Sequence, residues 1–414
     1  MILHYNNNQP FVEGVCLNDL TKSIETPFYV YSQKNIEDSY KKIKKFLNVD
    51  IFYSVKANSN QAIISIMKKL SVGADVVSIG ELERVLRVGI LPQDIIFEGV
   101  GKTSKDLEYA IMKKIKQINI ESIEELIKIS DLGQSLQQKV NIGIRINPDI
   151  DGNTLDKIST GKKSDKFGIS FKILPEVCQV ISEKKFINLV GISCHIGSQI
   201  QDLNIYEKVF LKMKEATKIT ENLGMIVKNL NLGGGFPSVY QKEKNIDFSK
   251  LSNLLNKIFM DSNFKISFEP GRSLVATSGL LVTKILTSKV NDSRNFLIVD
   301  AGMQTFLRPA LYNSFHNIIS LNQEGSLKKY TVGGPICESS DILAKDIELP
   351  SQQSGNFLAI CDVGAYGSVM ASNYNSRNLP AEILIHADKF SIIRNLENFS
   401  SVIDRDIIPD WLLS

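Results

Sequence analysis

The chain has 414 residues, 43% of them hydrophobic, enough to bury a large core and to divide into two domains. Lys and Arg number 48 against 45 Asp and Glu, a net charge of +3, which argues against the clustered basic charge that nucleic-acid and membrane-surface partners favour. No stretch is apolar over the ~18 residues of a membrane span and no basic start precedes an apolar core, so the expected location is the cytoplasm.

From residue 27 to residue 280, short apolar runs alternate with segments of helical period. In chain order the predicted strands are Phe28–Ser32, Ile51–Val55, Ala74–Val77, Ile95–Glu98, Gln117–Ile120, Val140–Ile146, Leu189–Cys194, Ile226–Leu232 and Lys265–Phe268. Helices are predicted between them at Ile79–Val88, Ser104–Lys113, Ile123–Gly133, Pro175–Glu183, Ile205–Leu223 and Phe248–Met260. The basic run Lys41-Lys42-Ile43-Lys44-Lys45 falls on a further helical pattern and reads as a solvated face. Regular alternation of this kind is the pattern of an α/β fold, the (β/α)8 TIM-type barrel. A doubly wound open sheet is the alternative, disfavoured because no GxGxxG follows the first strand. Beyond residue 280 the long helices disappear, and Leu281–Lys289, Phe296–Val299, Lys329–Val332, Phe357–Asp362 and Ala381–Ile385 are strand-like. The expected organisation is a barrel over 27–280, with a mostly β second domain built from 1–26 and 281–414.

The 5 cysteines are widely spaced without a CxxC pair, and the 4 histidines show no metal-ligand spacing, so neither a disulfide framework nor a metal site is expected. Lys56 stands out instead. It closes the run Ile51-Phe52-Tyr53-Ser54-Val55 and precedes Ala57-Asn58-Ser59-Asn60. Its amine is therefore expected at the mouth of a core, where desolvation lowers an ammonium pKa and leaves a nucleophile for an aldehyde. A strand-end lysine ordinarily snorkels to water, so the sharper reading rests on its company. His195-Ile196-Gly197-Ser198-Gln199, Gly233-Gly234-Gly235-Phe236 and Glu269-Pro270-Gly271-Arg272 each follow a predicted strand, on the rim where barrel enzymes keep their chemistry. Taken singly, a buried His is a satisfied core residue, a triple glycine a tight turn and a strand-end Glu an ion pair. Their placement on one rim favours a site.

Tyr53–Asn60, His195–Gln199, Gly233–Gly235 and Glu269–Arg272 resemble the alanine-racemase-like barrel decarboxylases, which use pyridoxal 5'-phosphate. More narrowly, Arg308-Pro309-Ala310-Leu311-Tyr312, Cys337-Glu338-Ser339-Ser340-Asp341, Gly364-Ala365-Tyr366-Gly367 and Ser372-Asn373-Tyr374-Asn375-Ser376-Arg377 are similar to the diaminopimelate decarboxylase family. The match runs nearly end to end and in order. The resemblance implies Lys56 as the Schiff-base lysine, His195 against the ring face and Glu269 at the ring nitrogen. It places the phosphate among Ser198, Gly233, Gly234, Gly235, Gly271 and Arg272, with Tyr366 touching phosphate or substrate. A carboxylate at the ring nitrogen favours a protonated ring and a deep electron sink, which decarboxylation needs and a racemase does not.

For the substrate, the resemblance implies Arg272, Arg308 and Tyr312 clamping the distal carboxylate of meso-diaminopimelate, and Glu338 holding its distal ammonium. Cys337 would protonate the carbon left by carbon dioxide, and L-lysine would leave as the product of the last step of lysine biosynthesis. A cytoplasmic homodimer with shared sites is implied, Cys337 and Glu338 serving the other chain. The nearest rivals are decarboxylases of ornithine, arginine or a carboxylated polyamine, whose members tend to carry Cys-Asp-Gly rather than Cys337-Glu338-Ser339. A non-catalytic regulatory relative would often lack Lys56 or the glycine run. The chain departs from the family at Phe236-Pro237-Ser238-Val239-Tyr240, which lacks a further glycine, at Ser340 in place of a usual glycine, and at Asn378-Leu379 before Pro380.

Overall fold

The computed structural model describes residues 2–152, 160–292 and 294–413, which fall into two compact units. Glu37–Leu274 form one unit; the segments up to Ile36 and from Val275 form the other.

The first unit is a closed parallel barrel. Its strands are β1 (Asp50–Ser54), β2 (Gly73–Val76), β3 (Ile95–Phe97), β4 (Gln117–Ile120), β5 (Val140–Asn147), β6 (Ile187–Ser193), β7 (Asn229–Asn231) and β8 (Lys265–Phe268). Each lies beside the next, and β8 returns to β1 with Ser267 opposite Asp50 and Phe268 opposite Ile51. Every residue of β2, β3 and β4 is buried. One face fills the barrel and the other lies under helices, so β3 reads as an unbroken apolar run, Ile95-Ile96-Phe97, while β2 and β4 bury Asp75, Gln117 and Asn119 among their apolar residues. Ser78, Thr103 and Ser122 cap the helices that follow β2, β3 and β4, each side chain accepting a backbone N–H three residues on. The caps fix where the chain turns back at the rim.

The second unit holds a mixed sheet. Its strand order is Ile342–Pro350, Leu327–Gly333, Arg294–Val299, Gly279–Asn291, Phe28–Ser32, Ala381–His386 and Lys389–Arg394. Phe357–Cys361 also pairs with Gly279–Asn291 and carries Ile318–Ser320 on its other side. Leu20, Phe28, Val30, Leu280, Val282 and Ile383 belong to one buried cluster beneath it.

One strand belongs elsewhere than its sequence suggests. Phe28–Ser32 forms with the predicted bounds, but it pairs antiparallel with Gly279–Asn291 and parallel with Ala381–His386, not with the barrel. All of its residues are buried, and a run covered on both faces carries no pattern that tells one sheet from another. Residues 27–36 and 275–280 accordingly lie with the β unit. Among the described residues, no helix is long and apolar enough to cross a membrane.

Candidate active site

Strands β6, β7, β8 and β1 are consecutive neighbours round the barrel. The segments leaving their C-terminal ends carry His195, Gly233–Gly235, Glu269 and Lys56. Closure of the sheet therefore gathers residues separated by more than two hundred positions, and the Ser54 N–H reaches the Pro270 carbonyl at 3.3 Å.

Lys56 sits in a single helical turn, Val55–Ala57, directly after β1. Its Nζ lies 3.4 Å from Asp75 Oδ2, with the lysine side chain 37% exposed and the aspartate 1%. The amine is thus not isolated in an apolar mouth, as the sequence alone suggests; it faces a buried carboxylate. Ser54 Oγ donates to the same carboxylate oxygen at 2.7 Å, which fixes the aspartate. Among the described residues, Asp75 Oδ1 is buried with no hydrogen-bond partner. Replacing Asp75 with Asn keeps the shape and removes the charge that aims the amine. We expect Asp75→Asn to lower kcat/KM by about ten- to a hundredfold, the scale of a lost charge-assisted contact. Steady-state rates with excess cofactor check this, and an unchanged kcat/KM would remove Asp75 from that role.

Glu269 is 5% exposed and accepts from Asn231 Nδ2 at 2.6 Å. Burial, then repulsion from Asp75 and Glu98, pushes its carboxyl well above the usual carboxylate range, against the pull of Lys56 and Asn231. His195 behaves in the opposite sense. Burial, then the cations Lys56 and Arg145, holds its pKa well below the usual imidazole value, so the ring is neutral. The Gly234 N–H donates to His195 Nδ1 at 3.1 Å, which places the ring proton on Nε2.

The glycine run is tight for a visible reason. A Cβ on Gly233 would stand 2.3 Å from the Cys194 carbonyl oxygen, and one on Gly234 2.3 Å from that of Glu269. The Gly233 N–H is taken by Asn231 Oδ1 at 2.9 Å and that of Gly234 by His195. Of the three, Gly235 alone has no protein acceptor for its N–H among the described residues. Gly271 stands at the opening of the short helix Arg272–Val275, where a Cβ would meet Ser54 Cβ at 2.9 Å. Arg272 is buried; its Nε donates to Ser198 Oγ at 2.9 Å and its Nη1 to Tyr240 Oη at 3.1 Å.

The departure after Gly235 has a definite path. Phe236 turns into the core and packs on Phe248 and Phe268 at 5.2 and 5.1 Å between ring centroids. Gln199 clamps Ser238 in both directions, accepting its N–H at 2.7 Å and donating to its carbonyl at 2.9 Å. The loop so held brings Tyr240 to Arg272. Sequence reasoning missed Tyr240, Asp75 and also Arg145, which is buried in β5 and bonds Glu121 Oε1 at 2.8 Å with Glu98 Oε2 at 3.6 Å. The signal was present: Asp75 and Arg145 are charges inside otherwise apolar strand runs, and such a charge needs a buried partner.

The remaining predicted residues lie in the second unit. Arg308 is buried at the start of the helix Arg308–Tyr312, with its guanidinium 5.6 Å from the Tyr312 ring centroid. Cys337 and Glu338 are exposed on a loop that Asp341 fastens by accepting the N–H groups of Met303 at 2.6 Å and Ile336 at 2.8 Å. The Cys337 N–H donates to Asn375 Oδ1 at 3.3 Å, and Tyr374 Oη donates to Glu338 Oε1. Ser340, the departure from glycine, adds a bond to Glu338 Oε2 at 2.9 Å. The bonds from Tyr374 and Ser340 hold the Glu338 carboxyl below its ordinary pKa, so it stays an anion. Asp341, Tyr374 and Asn375 belong to motifs the sequence singled out, and their roles become visible only here. Tyr366 takes a left-handed backbone, φ 56°, in the turn Gly364–Gly367.

Residues 33–276 match the model of the pyridoxal-dependent decarboxylases, pyridoxal binding domain. The diaminopimelate decarboxylase of Aquifex aeolicus is 37% identical over 405 residues, covering 97% of this chain and 96% of that one. The chain belongs to the diaminopimelate decarboxylase family. Among solved structures, diaminopimelate decarboxylase from M. jannaschii superposes with a TM-score of 0.94 at 33% identity, covering 99% of both chains. The Helicobacter pylori enzyme complexed with L-lysine gives 0.91 at 39%, covering 94% of this chain and 98% of that one. Lysine decarboxylase from Selenomonas ruminantium stands further off, at 0.81 and 25%.

Proposed function

We propose that the chain decarboxylates meso-2,6-diaminopimelate to L-lysine and carbon dioxide with pyridoxal 5'-phosphate as cofactor. The observation that carries this reading is the meeting of Lys56 and Glu269 on one rim, beside a glycine run and a neutral imidazole. The residues fit the group. A buried carboxyl with a raised pKa suits a ring nitrogen that shares its proton, and the donors at Gly235, Gly271, Arg272 and Ser198 suit a phosphate, with Gly233 and Gly234 giving close backbone approach. When bound, the cofactor supplies an aldehyde that a lysine amine can bond and a ring that takes up the electron pair left by carbon dioxide.

The protein's own groups divide the remaining work. Asp75 aims the Lys56 amine. Glu269 holds a proton at the ring nitrogen, and His195 presents a flat, uncharged face that does not compete for that proton. Arg272, Arg308 and Tyr312 receive the distal carboxylate, Glu338 receives the distal ammonium, and Tyr366 contacts phosphate or substrate. Cys337 delivers the proton that replaces carbon dioxide. The exposure of Cys337 and Glu338 supports a homodimer in which each chain offers them to the other's site. A cytoplasmic location accords with this biosynthetic chemistry.

Ornithine and lysine lack a distal carboxylate, so neither brings an anion to the buried guanidinium groups of Arg272 and Arg308. Discrimination of about 10⁴-fold in kcat/KM is expected against either. The test is product analysis of the purified protein with added pyridoxal phosphate, offering meso-diaminopimelate and ornithine in parallel. L-Lysine from the first and no putrescine from the second is expected; putrescine at a comparable rate would replace this reading with the rival.

A further inference from the structure

Arg308 reaches the substrate, in the reading above, as a planar fork, and a fork is useful only if its plane is fixed. The structure shows what fixes it. Arg308 Nε donates to His316 Nε2 at 3.4 Å, both side chains being buried. On the far side of the ring, His316 Nδ1 lies 3.0 Å from the Cys361 carbonyl oxygen. A carbonyl can only accept, so Nδ1 carries the hydrogen and Nε2 keeps the lone pair that Arg308 needs. The tautomer is thereby dictated by a backbone group, and a doubly protonated ring would set two cations 3.4 Å apart in a buried place. Phe306 meets the imidazole edge-on, 4.7 Å between centroids at 85°, and holds the ring plane. Tyr312 covers the guanidinium.

We infer that His316 is a positioning residue for substrate recognition: it locks the guanidinium of Arg308 so that a carboxylate must be met along its Nη edge. This rests on the proposed role of Arg308 and extends it to a residue no resemblance assigned. Because Nε is engaged by the imidazole, a side-on fork through Nε is closed, and the ligand's approach direction is set by the ring.

The test is steady-state kinetics of the holoenzyme with meso-diaminopimelate. His316→Phe and His316→Leu, alike in lacking ring nitrogens, are each expected to raise KM about tenfold or more with kcat within about threefold of wild type, the signature of lost ground-state binding. His316→Gln, whose amide can donate to the Cys361 carbonyl and accept from Arg308, is expected to recover KM to within about threefold. Added to Arg308→Gln, His316→Phe is expected to raise KM no further. The inference is overturned if KM is unchanged in both apolar variants, if kcat falls as much as KM rises, if His316→Gln fails to recover, or if the effect persists on Arg308→Gln. An Arg308→Gln variant with wild-type KM would instead remove Arg308 from the site and defeat the underlying reading.

Discussion

Lys56→Ala is expected to lower kcat for meso-diaminopimelate by about 10⁴-fold, or about 5 kcal/mol of transition-state stabilisation. The size follows from the geometry. The amine stands on the first turn after β1, 3.4 Å from a carboxylate that is itself buried and bonded. Alanine removes the only group of that turn able to bond an aldehyde, and it leaves Asp75 as a buried anion without its cation. Lys56→Arg separates the two consequences: it restores charge beside Asp75 but not a nucleophile, so the fold should recover and the rate should not. Rates with saturating cofactor check both variants. Turnover by Lys56→Ala within about tenfold of wild type would show that the amine is not the group that acts.

Cys337→Ala is expected to lower kcat by about 10²- to 10³-fold, the usual worth of a placed general acid, with KM and cofactor retention little changed. The backbone at Cys337 is held by Asn375 and its neighbour Glu338 by Tyr374 and Ser340, none of which depends on the thiol. Truncation should therefore remove a proton donor without moving the loop. Cys337→Ser tests whether the loss is chemical: a hydroxyl occupies the same place but gives up its proton far less readily. An intermediate rate for serine is expected. If alanine and serine both turn over like the wild type, the proton comes from elsewhere; if both raise KM in step with lowering kcat, the loop has moved.

Much of the barrel could be read from the chain because its strands are short, mostly apolar runs that alternate with segments of helical period. Gln117–Ile120 and Lys265–Phe268 fall where their residues predict, and the predicted helix starts at Ile79, Ser104 and Ile123 are kept, each one residue after a cap that the structure shows. Pattern fails where it carries no information about partners. Phe28–Ser32 is buried on both faces, and only the long strand Gly279–Asn291, far away in sequence, decides its sheet. Ile342–Pro350 and Lys389–Arg394 escape notice because their residues are mixed or exposed, so no apolar run announces them. The hairpin Leu3–Asn6 to Gln9–Val12 was within reach: Asn7 and Asn8 both take positive φ, 48° and 61°, as the turn residues of a two-residue hairpin do.

For the candidate site, rim position and motif picked out residues to consider, while their hydrogen bonding had to come from the fold. The glycine run suggested a row of phosphate donors, yet Asn231 and His195 already use the first two N–H groups, and only the Gly235 N–H of the three has no protein acceptor among the described residues. Lys56 is an ion pair rather than an amine in an apolar mouth because the neighbouring strand β2 carries Asp75 to it, a contact its own segment does not show. The motif around Cys337 divides into an exposed pair and an anchoring aspartate, a distinction of burial that no spacing encodes.

The most direct measurement is borohydride reduction of the purified protein loaded with pyridoxal 5'-phosphate, followed by proteolysis and mass spectrometry of the labelled peptide. A single pyridoxyl group on Lys56, absent in Lys56→Arg, is the expected result. Label on a different lysine, or equal labelling of the arginine variant, would contradict the placement of the cofactor on this rim.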